Sequence, residues 1–152
     1  MHMGDKFPSL CRRYIARDDI SKNVALVDRP KVILPAAGGT GNDRYIIGRP
    51  EVLSPPSVCS QTYLVAILAS ETEARNFEKY TGTKFFRILV KASKVSQSAP
   101  RRVYHFVPLV ELGDESEIDW TASMEEIDQR LYQEYGLDEA EIKYIEEAIL
   151  YF

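Results

Sequence analysis

The sequence predicts an α+β fold, with a small mixed or antiparallel sheet, two central helices and a C-terminal αα-hairpin. Three observations predict it. Short β-branched runs bounded by Pro and Gly crowd residues 31 to 68. Two capped helix starts then follow in quick succession, at Ser70 and at Thr83. Two more, Ser123 with Glu126 and Asp138 with Glu141, have capping-box spacing near the C-terminus, on either side of a Gly136-Leu137 turn.

Taken in order, the first thirty residues give no regular signal. "KVILPA", residues 31 to 36, reads as a short buried strand, and "RYIIG" and "EVLS" read as two more. Pro55-Pro56 breaks regular structure before "QTYLVAIL", 61 to 68, the strongest strand signal in the chain. Ser70 and Glu73 have the spacing of a capping box for "ETEARNFEKY", and Gly82 reads as the C′ stop. Thr83 opens "KFFRILVKASKV". Its apolar residues Phe85, Phe86, Ile88, Leu89 and Val95 leave Lys84, Arg87, Lys91 and Lys94 as one stripe, because intervals of 3, 4 and 3 share a helix face. "RRVYHFV" alternates like a strand. "MEEIDQRLYQEY" ends at Gly136, and "EAEIKYIEEAILYF" follows Asp138. This divides the chain into residues 1 to 112 and residues 113 to 152, an acidic helical tail packed on the first part.

Composition supports a globular chain of 152 residues with 45% hydrophobic and 28% charged residues. No run of eighteen apolar residues suggests a membrane span, and "MHMGDKFPSL" lacks a signal-peptide core. Cys11 and Cys59 form no C-x-x-C pair, so a reducing cytoplasm is the expected compartment. With His2 and His105 as the only histidines, metal sites and Ser-His-Asp catalysis have little to build on. The net charge of −4 hides an asymmetry: residues 1 to 106 carry 17 Lys/Arg against 9 Asp/Glu, a net of +8, while 107 to 152 carry 2 against 14, a net of −12. A basic working face with an acidic appendage follows from that pattern. The bland alternative is chance variation with a solvated helical pair at the end.

Four motifs bear on chemistry. "ILPAAGGTGNDRYIIG" has the glycines of a phosphate cradle, but no Lys follows Gly41 and a strand rather than a helix comes next, so neither a P-loop nor a Rossmann turn is present. A turn that lays bare backbone against a polyanion, with Asn42 and Arg44 beside it, remains. "SPPS", 54 to 57, has neither the acidic or amide residue nor the aromatic that an adenine methyltransferase needs around Pro-Pro. Glu141 and Lys143, with Asp138, have a nuclease-like acidic-x-Lys spacing, but helix capping already explains the carboxylates. The basic stripe, extended by Arg101 and Arg102, places six positive charges in nineteen residues with no acid among them. A basic stripe is usually a solvated face; this density is the footprint of phosphate contacts, with Ser96 and Gln97 able to add hydrogen bonds.

Several stretches together carry a resemblance: "KVILPAAGGTGN", "IIGRPEVLSPPSVCSQTYLV", "TKFFRILVKASKVSQ", "YHFVPL" and "DWT…LYQEYGLDEAEIKYIE". The most specific parts are Lys84-Phe85-Phe86-Arg87 with Gln97, Phe106-Val107-Pro108, and Trp120-Thr121 followed by Leu131-Tyr132 and Tyr135-Gly136-Leu137. From about residue 30 onward, roughly 80% of the chain, the sequence resembles the C-terminal target recognition domain of bacterial restriction-modification, adenine-specific DNA methyltransferases of the combined nuclease–methylase kind. The resemblance implies a non-catalytic domain that binds double-stranded DNA and works beside the catalytic methyltransferase domain of the same parent chain. S-adenosylmethionine, and magnesium where the parent also cleaves, belong to that parent; no cofactor is expected in this chain. The expected DNA contacts are Lys31, Asn42, Arg44, Lys84, Arg87, Lys91, Lys94, Ser96, Gln97, Arg101 and Arg102, with Asn42, Arg44, Ser96 and Gln97 nearest the base edges. The rival expectation is a protein–protein module whose acidic C-terminal helices dock a basic partner.

Overall fold

The computed structural model describes residues 13–37, 46–96 and 98–151. Its sheet has three antiparallel strands, β1 (Lys31–Pro35), β2 (Glu51–Leu53) and β3 (Tyr63–Ile67), in the order β2-β1-β3. The α+β fold expected from the sequence is therefore present, and the sheet is purely antiparallel. Val32 pairs with Val52 on one side and Ala66 on the other. β1 is central, and Lys31 through Leu34 are buried, which is why this run is apolar without alternation.

Helices α1 (Glu71–Gly82) and α2 (Lys84–Ser93) meet with no linker. Thr83 closes the first and opens the second: its N–H bonds Tyr80 O, and its hydroxyl accepts from Phe86 N. Gly82 is thus the last helical residue rather than the residue beyond the helix. A Cβ there would lie 3.1 Å from Met124 Cε, so the small residue serves close packing. At the start of α1, Ser70 Oγ caps Glu73 N as expected, while the Glu73 carboxylate reaches one residue further back, to Ala69 N.

The run "RRVYHFV" is corrected. Arg101–Tyr104 forms a 3-10 helix, packed on α2 through buried Val103 and the Tyr104 ring, 6.0 Å from Phe86. "RYIIG" is corrected as well for its described part: Ile46–Gly48 is not a strand.

The C-terminal hairpin is α3 (Met124–Glu134) and α4 (Glu139–Ala148). Both expected capping boxes form, and Gly136 takes φ +66° in the turn between them, a conformation favourable to glycine. The acidic tail shares one core with the first 112 residues. Trp120, Leu131, Tyr132, Ile145 and Ile149 pack in the same cluster as Tyr80, Phe85 and Phe86. Tyr80 is its hub, edge-on to Phe86 at 5.1 Å and to Trp120 at 6.2 Å, with its hydroxyl on Pro108 O at 2.9 Å. Among the described residues no helix is long and apolar enough to cross a membrane.

Candidate nucleic-acid interface

The glycine-rich segment follows β1, and its two described flanks, at Ala37 and Ile46, are both pinned to the connector that follows α2. At the entry, Ala36 N bonds Thr62 O at 2.9 Å, Ala99 N bonds Ala36 O at 2.8 Å, and Ala37 bridges Ser98. At the exit, Lys94 Nζ donates to Ile46 O, and Gly48 lies so close to the Pro35 ring that a Cβ would meet it at 2.7 Å. Ile46 adopts φ +51°, unfavourable for a β-branched residue, and burial and the Lys94 bond hold it there.

Two segments separated by about fifty residues thus share one edge of the molecule. Asn42 and Arg44 lie in the loop between these anchors and outside the described residues, as does Gln97. Ser96 is exposed beside the bridge. Arg101 and Arg102 are exposed on the 3-10 helix that follows.

The α2 stripe behaves differently. Lys84, Arg87 and Lys91 lie on α2, but Lys94 caps its C-terminus in extended backbone, so the expected four-residue stripe is corrected to three, and its Lys84 and Arg87 part is turned inward. Arg87 is 0% exposed and donates Nη1–H to Leu150 O. Lys84 is 8% exposed, ion-paired with Glu146 and 4.6 Å from the Tyr151 ring centroid. Lys94 is committed to Ile46, and Lys91 is half-buried. The expectation that Lys84 and Arg87 line a phosphate track is corrected: the tail covers them. Lys31 is corrected too. At 3% exposure its ammonium donates to Val27 O, Ser57 O and Ser57 Oγ at 2.9–3.2 Å, which uses all three protons. Desolvation by burial holds its pKa below the usual lysine value.

The residue that sequence reasoning missed is Asp128. It is fully buried, accepts from Lys84 N and Phe85 N at 2.9 Å each and from Tyr151 Oη at 2.8 Å. It thus clamps the first turn of α2, where backbone N–H groups lack helical partners. Burial pushes its carboxyl above the ordinary value, against the pull of those three donors. Its signal was present in the sequence: it falls among Ile127, Leu131 and Tyr132, in the core register of α3. A charged residue at such a position needs a buried partner.

No family model, curated protein or solved structure matches this chain. Among the described residues no cluster of three or more His, Cys, Asp or Glu side chains could hold a metal ion.

Proposed function

We propose that the chain is a DNA target recognition domain that binds duplex DNA and positions it for a separate catalytic methyltransferase domain of the same parent protein. The observation that carries this reading is that both flanks of the glycine-rich segment, Ala37 and Ile46, are tied to the connector bearing exposed Ser96, Arg101 and Arg102, through the Ala37–Ser98 bridge and the Lys94–Ile46 bond. Exposed guanidinium groups beside hydroxyl side chains, here Ser96 and Ser98, are the chemistry of combined phosphate and base contact. The +8 balance of residues 1 to 106 supports it, as does the resemblance described above. The contact edge is narrower than the sequence suggested, because Lys31, Lys84 and Arg87 are occupied within the fold.

Titration of labelled duplex at two salt concentrations tests the reading. Non-specific binding of roughly 10⁻⁴ to 10⁻⁶ M that weakens as salt rises is expected. Binding absent at low salt, or indifferent to salt, overturns it. Incubation with DNA, S-adenosylmethionine and magnesium should give neither methyl transfer nor cleavage; turnover by the pure chain would make it an enzyme.

A further inference from the structure

An apolar groove of about 510 Å³ runs between α2 and α4. Phe85, Ile88 and Leu89 form one wall, and Leu137, Tyr144 and Ile145 form the other. Tyr144 is 61% exposed and nearby Tyr135, stacked on Phe85 at 4.9 Å, is 40% exposed, so large rings border this groove and reach solvent. Its rim is acidic. Asp138 and Glu141 line it, and on α4 Tyr144 stands one turn from Glu141 on one side and one turn from Glu147 on the other, all exposed. Lys84 and Arg87 of α2 are turned toward Glu146 and Leu150 and do not offset that rim; half-buried Lys91 of α2 and exposed Lys143 of α4 are not among the groove's lining residues.

We propose that this groove docks a positively charged amphipathic helix of a protein partner. The walls are two helices, and α4 is 10 residues long, about 15 Å, which matches two to three turns of a third helix laid between them. Apolar residues of that helix at i, i+3/i+4 and i+7 fill the space over Ile88 and Leu89. Its Lys or Arg residues meet Asp138, Glu141 and Glu147. Charge decides between occupants. DNA phosphates are repelled by this rim, and a second copy of the chain would set the same carboxylates against each other, within a segment of net −12. None of the groove's lining residues belongs to the loop flanks or to the connector, so a helix held here does not use the side chains proposed to meet DNA.

The probe is a fluorescein-labelled peptide of about 14 residues, leucine and lysine placed in helical periodicity. Fluorescence anisotropy should give saturable 1:1 binding to the full chain that weakens between about 50 and about 300 mM salt. A scrambled peptide of the same composition and a leucine–glutamate analogue should not bind. Tyr144→Glu should weaken binding by about tenfold or more, and Glu147→Gln, at an exposed position that leaves the fold alone, should weaken it several-fold. The inference is overturned if the scrambled peptide binds equally well, or if neither substitution alters affinity. It is also overturned if the free chain sediments as a dimer that Tyr144→Glu disperses, since a second copy then fills the groove.

Discussion

Six cations between Lys84 and Arg102 look alike in sequence, and the fold divides them into two regions. On α2, Lys84 and Arg87 are buried against Glu146, Tyr151 and Leu150, and Lys94 holds a loop end. On the connector, Arg101 and Arg102 face solvent. Periodicity establishes that residues share a helix face; it does not establish what covers the face. The acidic tail contributes the cover, so the charge asymmetry along the chain is partly an internal match. Fewer positive charges are left for an external polyanion than the +8 balance suggests.

The largest expected effect breaks the comparison on its buried side. Arg87→Ala should cost about 3 kcal/mol of stability, because a long, fully buried side chain and its bond to the Leu150 carbonyl disappear together. Asp128→Ala should cost a similar amount, about 3 kcal/mol, by stranding two N–H groups of α2. Urea unfolding followed by circular dichroism measures both. A loss for Arg87→Ala below about 0.5 kcal/mol would return that residue to a solvated face.

In the proposed interface, Gln97→Ala should cost about 1–3 kcal/mol of binding on the cognate site alone, assayed in the parent enzyme. A uniform loss on all sequences would make it a positioning contact. Arg101→Ala and Arg102→Ala should each flatten the dependence of log K on log salt by about one unit. Their effect on stability should stay within about 0.5 kcal/mol. An unchanged salt slope for the double variant would move DNA away from this edge.

The smallest effect concerns two carboxylates of α3. Bonds from the Ser123 backbone and hydroxyl hold exposed Glu126 below the ordinary Glu value. Burial holds Asp128 above the ordinary Asp value. A depressed folded-state pKa means that Glu126 contributes stability above the ordinary value, and the contribution is lost as pH falls through the folded one. A raised one means that the Asp128 contribution is complete below the ordinary value and is lost as pH rises through the folded one. Carboxyl-carbon NMR titration should show the two moving in opposite directions; a common midpoint would remove the distinction between cap and clamp.

What the sequence made legible was local. Ser70, Thr83, Ser123 and Asp138 each bond N–H groups within a few residues, so spacing alone announces them. "KVILPA" and "QTYLVAIL" combined β-branched content with turn signals, and both became strands. "RRVYHFV" failed because alternation over so few residues also fits a turn of 3-10 helix. Val103 found its burial against α2, and Pro100 sets up the turn with an extended backbone. The burial of Lys84 and Arg87 depends on contacts more than sixty positions downstream, at Glu146 and Leu150. No local pattern encodes such a contact. The pairing of the flank of the glycine-rich loop with the residues after α2 is equally long-range: the Ala37–Ser98 bridge joins the edge of a segment read as a turn to one read as an extension of the basic stripe.

Thr83 sets a phase as well as a boundary. Because it ends α1 and starts α2 with nothing between, each residue inserted after it would turn α2 by about 100° about its own axis. One insertion would swing Arg87 off Leu150 and carry Phe86 out of the core. About three or four together would restore the direction, one turn further along. Length change at this elbow is therefore quantised by the helical repeat. Homologous chains that keep the clamp should differ here by a whole turn or by nothing.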